Sequence, residues 1–179
     1  MHCNALMTRW RRNGKSVLYP QDAYQTDIIT NISVNWLQNT WEPSNPFFMF
    51  VAPHAPHAPF TPAPRHKGTL AGLAQPPDPA LNETDARQST LPGAIANLPA
   101  TDVNSYNAIF QSRAETLLAV DDMVAAVVAE LDAQSVLDKT WIFYSSDNGY
   151  HLGQHRLGVG GGEVFEHDIN IPLIVRGPV

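Results

Sequence analysis

An α/β domain is the fold class this 179-residue sequence predicts, and three patterns predict it. Short apolar runs of strand length occur at Phe47 to Ala52, Thr140 to Ser145 and Ile171 to Val175. Stretches with helical spacing of apolar residues lie between them, and each has one apolar face. Strand, helix and strand in that order imply a mostly parallel sheet with helical crossovers on its faces. No internal repeat interrupts the alternation.

Taken in order, Asp27 to Gln38 sets Ile28, Ile32 and Trp36 four apart, with Ile29 and Leu37 beside that line, so a helix is expected. Thr26 or Asp27 can cap its start. Phe47 to Ala52 is apolar throughout between Pro46 and Pro53, which predicts a buried strand. Residues 54–100 are rich in Pro, Gly and Ala without periodicity, a long irregular loop of the kind that is more often functional or disordered than structural padding. Val103 to Gln134 is the clearest helix, with Phe110, Leu117, Val120, Val124, Val127 and Leu131 on one side. Thr140 to Ser145 and Ile171 to Val175 complete the strands.

Composition excludes some functions. Apolar residues make up 44% of the chain, which is ordinary for a globular domain with a sizeable core. The formal charge of −6 argues against nucleic acid, and the basic cluster Arg9 to Arg12 is too short to reverse it. Cys3 is the single cysteine, so no intrachain disulfide is possible and the redox compartment stays open. No run is long or apolar enough to span a membrane. Met1-His2-Cys3-Asn4 lacks a signal-peptide layout.

The chemistry concentrates in Ser146-Asp147-Asn148-Gly149-Tyr150-His151-Leu152-Gly153-Gln154-His155, directly after the apolar run Trp141 to Tyr144. Asp147 and Asn148 therefore fall at the carboxyl end of a strand, the edge where open α/β sheets bind ligands. A carboxylate beside a carboxamide offers hard oxygen ligands, which suit calcium or magnesium better than zinc or copper. Gly149 allows a tight reversal, and an Asn-Gly turn closing a buried strand is the competing reading. His151 and His155 either line a pocket or hydrogen-bond within the loop, and the residues leave both readings open. Asp121 and Asp122 sit within the long helix and read as a surface pair or an internal hydrogen bond. Glu166 and Asp168 are expected to order the loop before the last strand. Asn31-Ile32-Ser33 and Asn82-Glu83-Thr84 fit the glycosylation pattern, the first of them within a predicted helix.

Ser146 to Gly153, with Phe165-Glu166-His167-Asp168-Ile169-Asn170-Ile171-Pro172-Leu173-Ile174-Val175-Arg176-Gly177-Pro178, resembles the sulfatase family. The similarity is to its arylsulfatase and N-acetylglucosamine-6-sulfatase branch. Asn13-Gly14-Lys15 with Tyr24-Gln25-Thr26-Asp27, the run Phe47 to Pro59, and Leu118-Ala119-Val120-Asp121-Asp122-Met123-Val124 agree, in family order. The resemblance implies a partial alkaline-phosphatase/sulfatase-like sandwich across residues 1–179, with mostly parallel sheet and flanking helices. It implies hydrolysis of an aryl or carbohydrate sulfate ester, from a small molecule or a glycan. The family nucleophile is a formylglycine hydrate made from the cysteine of Cys-x-Pro/Ala-x-Arg. One calcium ion is held by two early aspartates and a later pair, here Asp147 and Asn148. A histidine in an Ala-Pro-His-x-Pro context contacts the sulfate or its leaving oxygen. The doubled His54-Ala55-Pro56-His57 leaves two registers, and Thr61-Pro62-Ala63-Pro64-Arg65 favours His57. His151 and His155 are expected near the substrate. A secreted, periplasmic or lysosome-like location follows from the same resemblance.

Two departures change the expectation for the chain by itself. Cys3 is followed by Asn4, Ala5, Leu6 and Met7, so it is no formylglycine precursor, and the early aspartate pair is absent. The family's lysine position falls at Gly161, and no lysine follows Lys139. Without the nucleophile the covalent route is closed, so these 179 residues alone are expected to be inactive. A non-catalytic sulfatase-like binding protein, and a phosphate or phosphonate ester hydrolase of the same superfamily, are the alternatives. Asn148-Gly149-Tyr150-His151-Leu152-Gly153 favours the sulfatase branch over the latter.

Overall fold

The computed structural model describes residues 9–83 and 103–178. They divide into two compact units, one from residues 9–71, 112–140 and 178, the other from residues 72–83, 103–111 and 141–177.

The first unit opens with a hairpin, β1 (Arg9–Arg12) against β2 (Lys15–Leu18), in the register Arg9 to Leu18 and Arg12 to Lys15. Asn13 and Gly14 make the reversal with φ of 50° and 76°. Both central residues of a two-residue primed turn need positive φ, which Asn-Gly supplies. Helix α1 spans Gln25–Asn39 and starts earlier than its apolar spacing predicts. Neither Thr26 nor Asp27 caps it. The N-cap is Tyr24, without a side-chain cap bond; its hydroxyl donates instead to the Thr61 carbonyl at 3.0 Å. Asp27 is occupied by Arg65. Ile28, Ser33 and Leu37 form the buried face.

Helix α2 spans Val103–Ala133, close to the predicted bounds. It buries Glu115, Ala119 and Met123 four apart, with Thr116 and Val120 one step on. Ala119 joins Tyr24 and Ala63 in the core of the first unit. The helix ends in a Schellman turn without glycine. Ser135 takes φ 57°, its N–H reaches Asp132, and Val136 N–H reaches Leu131.

Phe47 to Ala52 is not a strand, contrary to its pattern. Phe47 packs against Trp41 at 4.9 Å and Trp36 at 6.0 Å, but Phe48 and Phe50 are 88% and 82% exposed. A strand needs a ladder partner, and none of the described segments pairs with this run.

In the second unit, β3 (Ile142–Ser145) pairs with β6 (Leu173–Arg176), from Ile142 with Arg176 to Ser145 with Leu173. Between them lie β4 (His151–Leu152), paired with β5 (Val159–Gly160), and the single turn α3 (Glu166–Ile169). The α/β mixture is as expected, while these pairings are antiparallel where parallel neighbours were predicted. A parallel return needs a crossover of a dozen or more residues, usually helical. The chain from Ser146 to Pro172 is spent on loops, a two-residue ladder and one helical turn, so it comes back antiparallel. Phe143, Leu173 and Ile174 stay more than 60% exposed on this ribbon.

Candidate active site

His57 lies in the first unit, on the loop from His54 to Phe60. Its N–H donates to the His54 carbonyl at 2.9 Å, closing a turn that sets the two imidazoles 4.6 Å apart between centroids. Nδ1 of His57 lies 3.1 Å from the Ala58 carbonyl. A carbonyl oxygen only accepts, so Nδ1 carries the hydrogen and Nε2 keeps a lone pair in the neutral ring. His57 is exposed, with that nitrogen available to a ligand. Burial lowers the pKa of His54, and the adjacent His57 lowers it further. A half-buried ring thus stands beside an exposed one.

The loop is held from α2 and α1. Arg113 Nη1 donates to the Pro56 carbonyl at 3.0 Å, and its guanidinium lies 5.7 Å above the Phe60 ring. Phe60 has φ 57°, a left-handed conformation costing a bulky residue on the order of 1–2 kcal/mol. Farther along, Arg65 bonds both oxygens of Asp27 at 2.8 Å and one of Asp122. His66 reaches Asp122 at 2.7 Å. Asp122 is held below the usual carboxylate range, first by His66 and then by Arg65. The internal hydrogen bond considered for this helix acid is therefore found. Buried Glu115 accepts from the N–H groups of Gly68 and Leu70 at 3.0 and 3.2 Å.

Asp147 and Asn148 lie in the second unit, directly after β3, and both are exposed. Asp147 Oδ1 accepts from the Asn148 N–H at 2.9 Å, and Asn148 Nδ2 donates to the Gly149 carbonyl at 2.6 Å. The second bond points the amide nitrogen inward and leaves Asn148 Oδ1 as an acceptor. These are hard oxygens of the kind calcium takes. They fit the ion in type and fall short in number, since no group of three or more candidate ligands exists among the described residues.

Gly149 is not in the positive-φ region, so a tight reversal is not why glycine stands there. Its N–H and that of Tyr150 bond the Asp168 and His167 carbonyls, both at 2.7 Å, and a Cβ would run into the His167 carbonyl. Close backbone approach requires the glycine. Gly161 is similar: a Cβ there would lie 2.7 Å from Asn148 Nδ2 and 2.8 Å from the Gly149 carbonyl. The residue at the family's lysine position is thus pressed against the proposed metal pair, and a side chain enters only if that loop shifts.

His151 hydrogen-bonds within the folded loop. It is buried, with Nδ1 2.8 and 3.0 Å from the two oxygens of buried Asp168. Asp168 also accepts the Glu163 N–H at 2.7 Å, which orders the segment as expected. His155 is half-buried, pairs with Glu83 at 2.8 Å and stacks on Phe165 at 4.3 Å. His167 lies 5.6 Å from it, edge on, and pairs with Asp78 at 2.8 Å. His151 and His155 are thus both engaged by protein groups. Sequence reasoning missed Arg113, Glu115, Asp78 and Glu83, although Glu115 betrays itself as an acid on the apolar face of a helix. Of the glycosylation patterns, Asn31 sits within α1 with Ser33 buried, and Thr84 lies outside the described residues.

The family model for sulfatases matches residues 2–179. The chain is 38% identical to sulfatase ppz1 of Metarhizium majus (strain ARSEF 297) over 178 residues, covering 93% of this chain and 41% of that protein. It is 37% identical to N-acetylglucosamine-6-sulfatase of Homo sapiens over 172 residues, covering 94% and 30%. The solved structure of BT4656 with its substrate D-glucosamine-2-N,6-O-disulfate superposes with a TM-score of 0.75 at 23% identity, covering 93% of this chain and 45% of that one, which establishes the fold. The chain spans less than half the length of these relatives. By its matched residues and its fold, the chain belongs to the sulfatase family.

Proposed function

We propose that the polypeptide carrying this chain is a sulfuric ester hydrolase with a carbohydrate sulfate or an aryl sulfate as substrate. The exposed Asp147-Asn148 oxygen pair, on a chain that matches the sulfatase family along its length, supports this most directly. The sulfated glucosamine bound by BT4656 and the N-acetylglucosamine-6-sulfatase relatives favour the carbohydrate class. Asp147 and Asn148 would hold calcium together with ligands from outside the described residues. The bound cation supplies charge neutralisation for the sulfate oxygens. His57 Nε2 is the atom that would exchange a proton with the ester oxygen. The nucleophile would be a formylglycine supplied by a Cys-x-Pro/Ala-x-Arg segment outside these residues. Relatives called extracellular sulfatases in Drosophila melanogaster and Caenorhabditis elegans favour export or a lysosome-like route.

Gly161 supports a second reading, a sulfatase-like protein that binds sulfate esters without turning them over. Its close packing on Asn148 leaves no room for a lysine as the loop stands. Turnover of 4-nitrophenyl sulfate and of N-acetylglucosamine-6-sulfate by the full polypeptide separates the two. Hydrolysis should require calcium, and Asp147→Ala should lower it about 100- to 1,000-fold, a loss of about 2.7–4 kcal/mol at the transition state. Binding of either ester without turnover would establish the second reading instead.

A further inference from the structure

We propose that Arg113 is the positioning residue of the histidine loop: it grips the chain on both sides of His57 and thereby sets where that imidazole points. This rests on His57 being the sulfate-facing histidine. On the N-terminal side, Arg113 donates to the carbonyl of Pro56, the residue immediately before His57. On the C-terminal side, the same guanidinium covers the ring of Phe60. Arg combines a directed donor with a planar cation that stacks on an aromatic face, which Lys does not.

The segment between these two grips is an irregular turn. Its backbone bonds are two turn contacts, His57 to His54 at 2.9 Å and Phe60 to His57 at 3.4 Å. Phe60 holds a left-handed φ that a free chain would leave. Arg113 itself stands on α2, two residues before buried Glu115, which ties the same helix to Gly68 and Leu70 farther along the loop. A rigid helix thus carries the anchor, and the loop carries the reacting group.

Arg113 acts on the loop at the Pro56 carbonyl and the Phe60 ring. The Nδ1–H form of His57 depends on the Ala58 carbonyl staying beneath the ring. The lowered pKa of His54 depends on its burial and on His57 remaining near it. Both are readouts that a merely stabilising residue would leave alone.

The test is nitrogen-15 NMR of the imidazoles in the full chain, comparing wild type with R113M and R113K, and circular dichroism to verify the helices. In R113M, His57 should lose its Nδ1–H tautomer for the Nε2–H form that a free imidazole prefers. The titration of His54 should move up toward that of an ordinary histidine. R113K keeps the charge and a donor for Pro56 but cannot stack on Phe60, so its spectrum should fall between the two. Unchanged imidazole signals in a folded R113M overturn the proposal. Should R113M lose its helical signal, R113K decides alone: a shifted tautomer supports the role, and a wild-type spectrum removes it. Addition of inorganic sulfate separates this inference from the functional reading. An R113M-sensitive tautomer with no response of His57 to sulfate keeps the positioning role and discards the sulfate contact.

Discussion

The histidine loop of the first unit and the Asp147 loop of the second are both irregular and both bear exposed polar groups, but they are held in opposite ways. Downstream of His57 the ion-pair ties lie at the surface: Arg65, Asp27 and Asp122 keep 42%, 38% and 47% of their side chains in water, while Glu115 is a buried tie there. Beneath Asp147 and Asn148 the tie is a buried imidazole–carboxylate pair, His151 and Asp168, with 7% and 0% exposed. Water screens the first set and is excluded from the second. Cutting a partner out of a buried pair strands the other charge or dipole, whereas an exposed partner is rehydrated. The two loops should therefore fail very differently when their ties are cut.

Asp168→Ala tests the buried side and should have the largest effect. It removes the partner of His151 and the acceptor of the Glu163 N–H at once, at a cost of about 3–5 kcal/mol. Hydrogen exchange should show the amides of Gly149 to Leu152 losing protection while α1 keeps its own. Equal loss in both places would mean that the contrast between the loops is false. Glu115→Ala comes next, because it strands the Gly68 and Leu70 N–H groups beside the histidine loop. Its cost should be about 2 kcal/mol, read from the urea midpoint.

Arg65→Ala is the mildest cut. With its partners so exposed, it should cost less than about 1 kcal/mol, and less still in high salt. Acid should reproduce that loss in the wild type. Asp122 titrates below its ordinary value, so its contribution is complete above the usual aspartate range, near pH 4, and disappears as the pH falls through the lower folded value. Asp78, where burial works upward but the Ala80 N–H, His167 and Gln154 prevail, should behave alike in the second unit. A wild-type stability that is flat from pH 5 to pH 2 would contradict both assignments.

How much of this was legible in the chain varies by element. α2 was readable nearly to its ends because a long amphipathic helix repeats its signal through many turns. The Asp147-Asn148 pair and the histidine loop were found from motifs, and motifs report residue identity, not orientation. The hairpin at Asn13-Gly14 carried a strong local signal that went unread as a turn. Phe47 to Ala52 misled because an apolar run says only that a segment avoids water, while a strand requires a partner's hydrogen bonds. The exposed faces of Phe143, Leu173 and Ile174 make the same point from the other side. Strands apolar on both faces are built to be covered twice, and unpaired edges of this kind favour self-association.

By itself, the sequence determined the α/β class, the two long helices and the sulfatase family, and it nominated a hard oxygen pair and histidines as site candidates. These depend on residue type and on spacing within one segment, which a linear chain carries whole. Only the tertiary structure decided that His151 is a buried partner of Asp168, and that His57 is exposed with Nε2 available. It alone set Gly161 against Asn148 and Arg113 across the histidine loop. Those are relations between residues up to 57 positions apart, as for Arg113 and Pro56, and they exist only once the chain has folded back on itself.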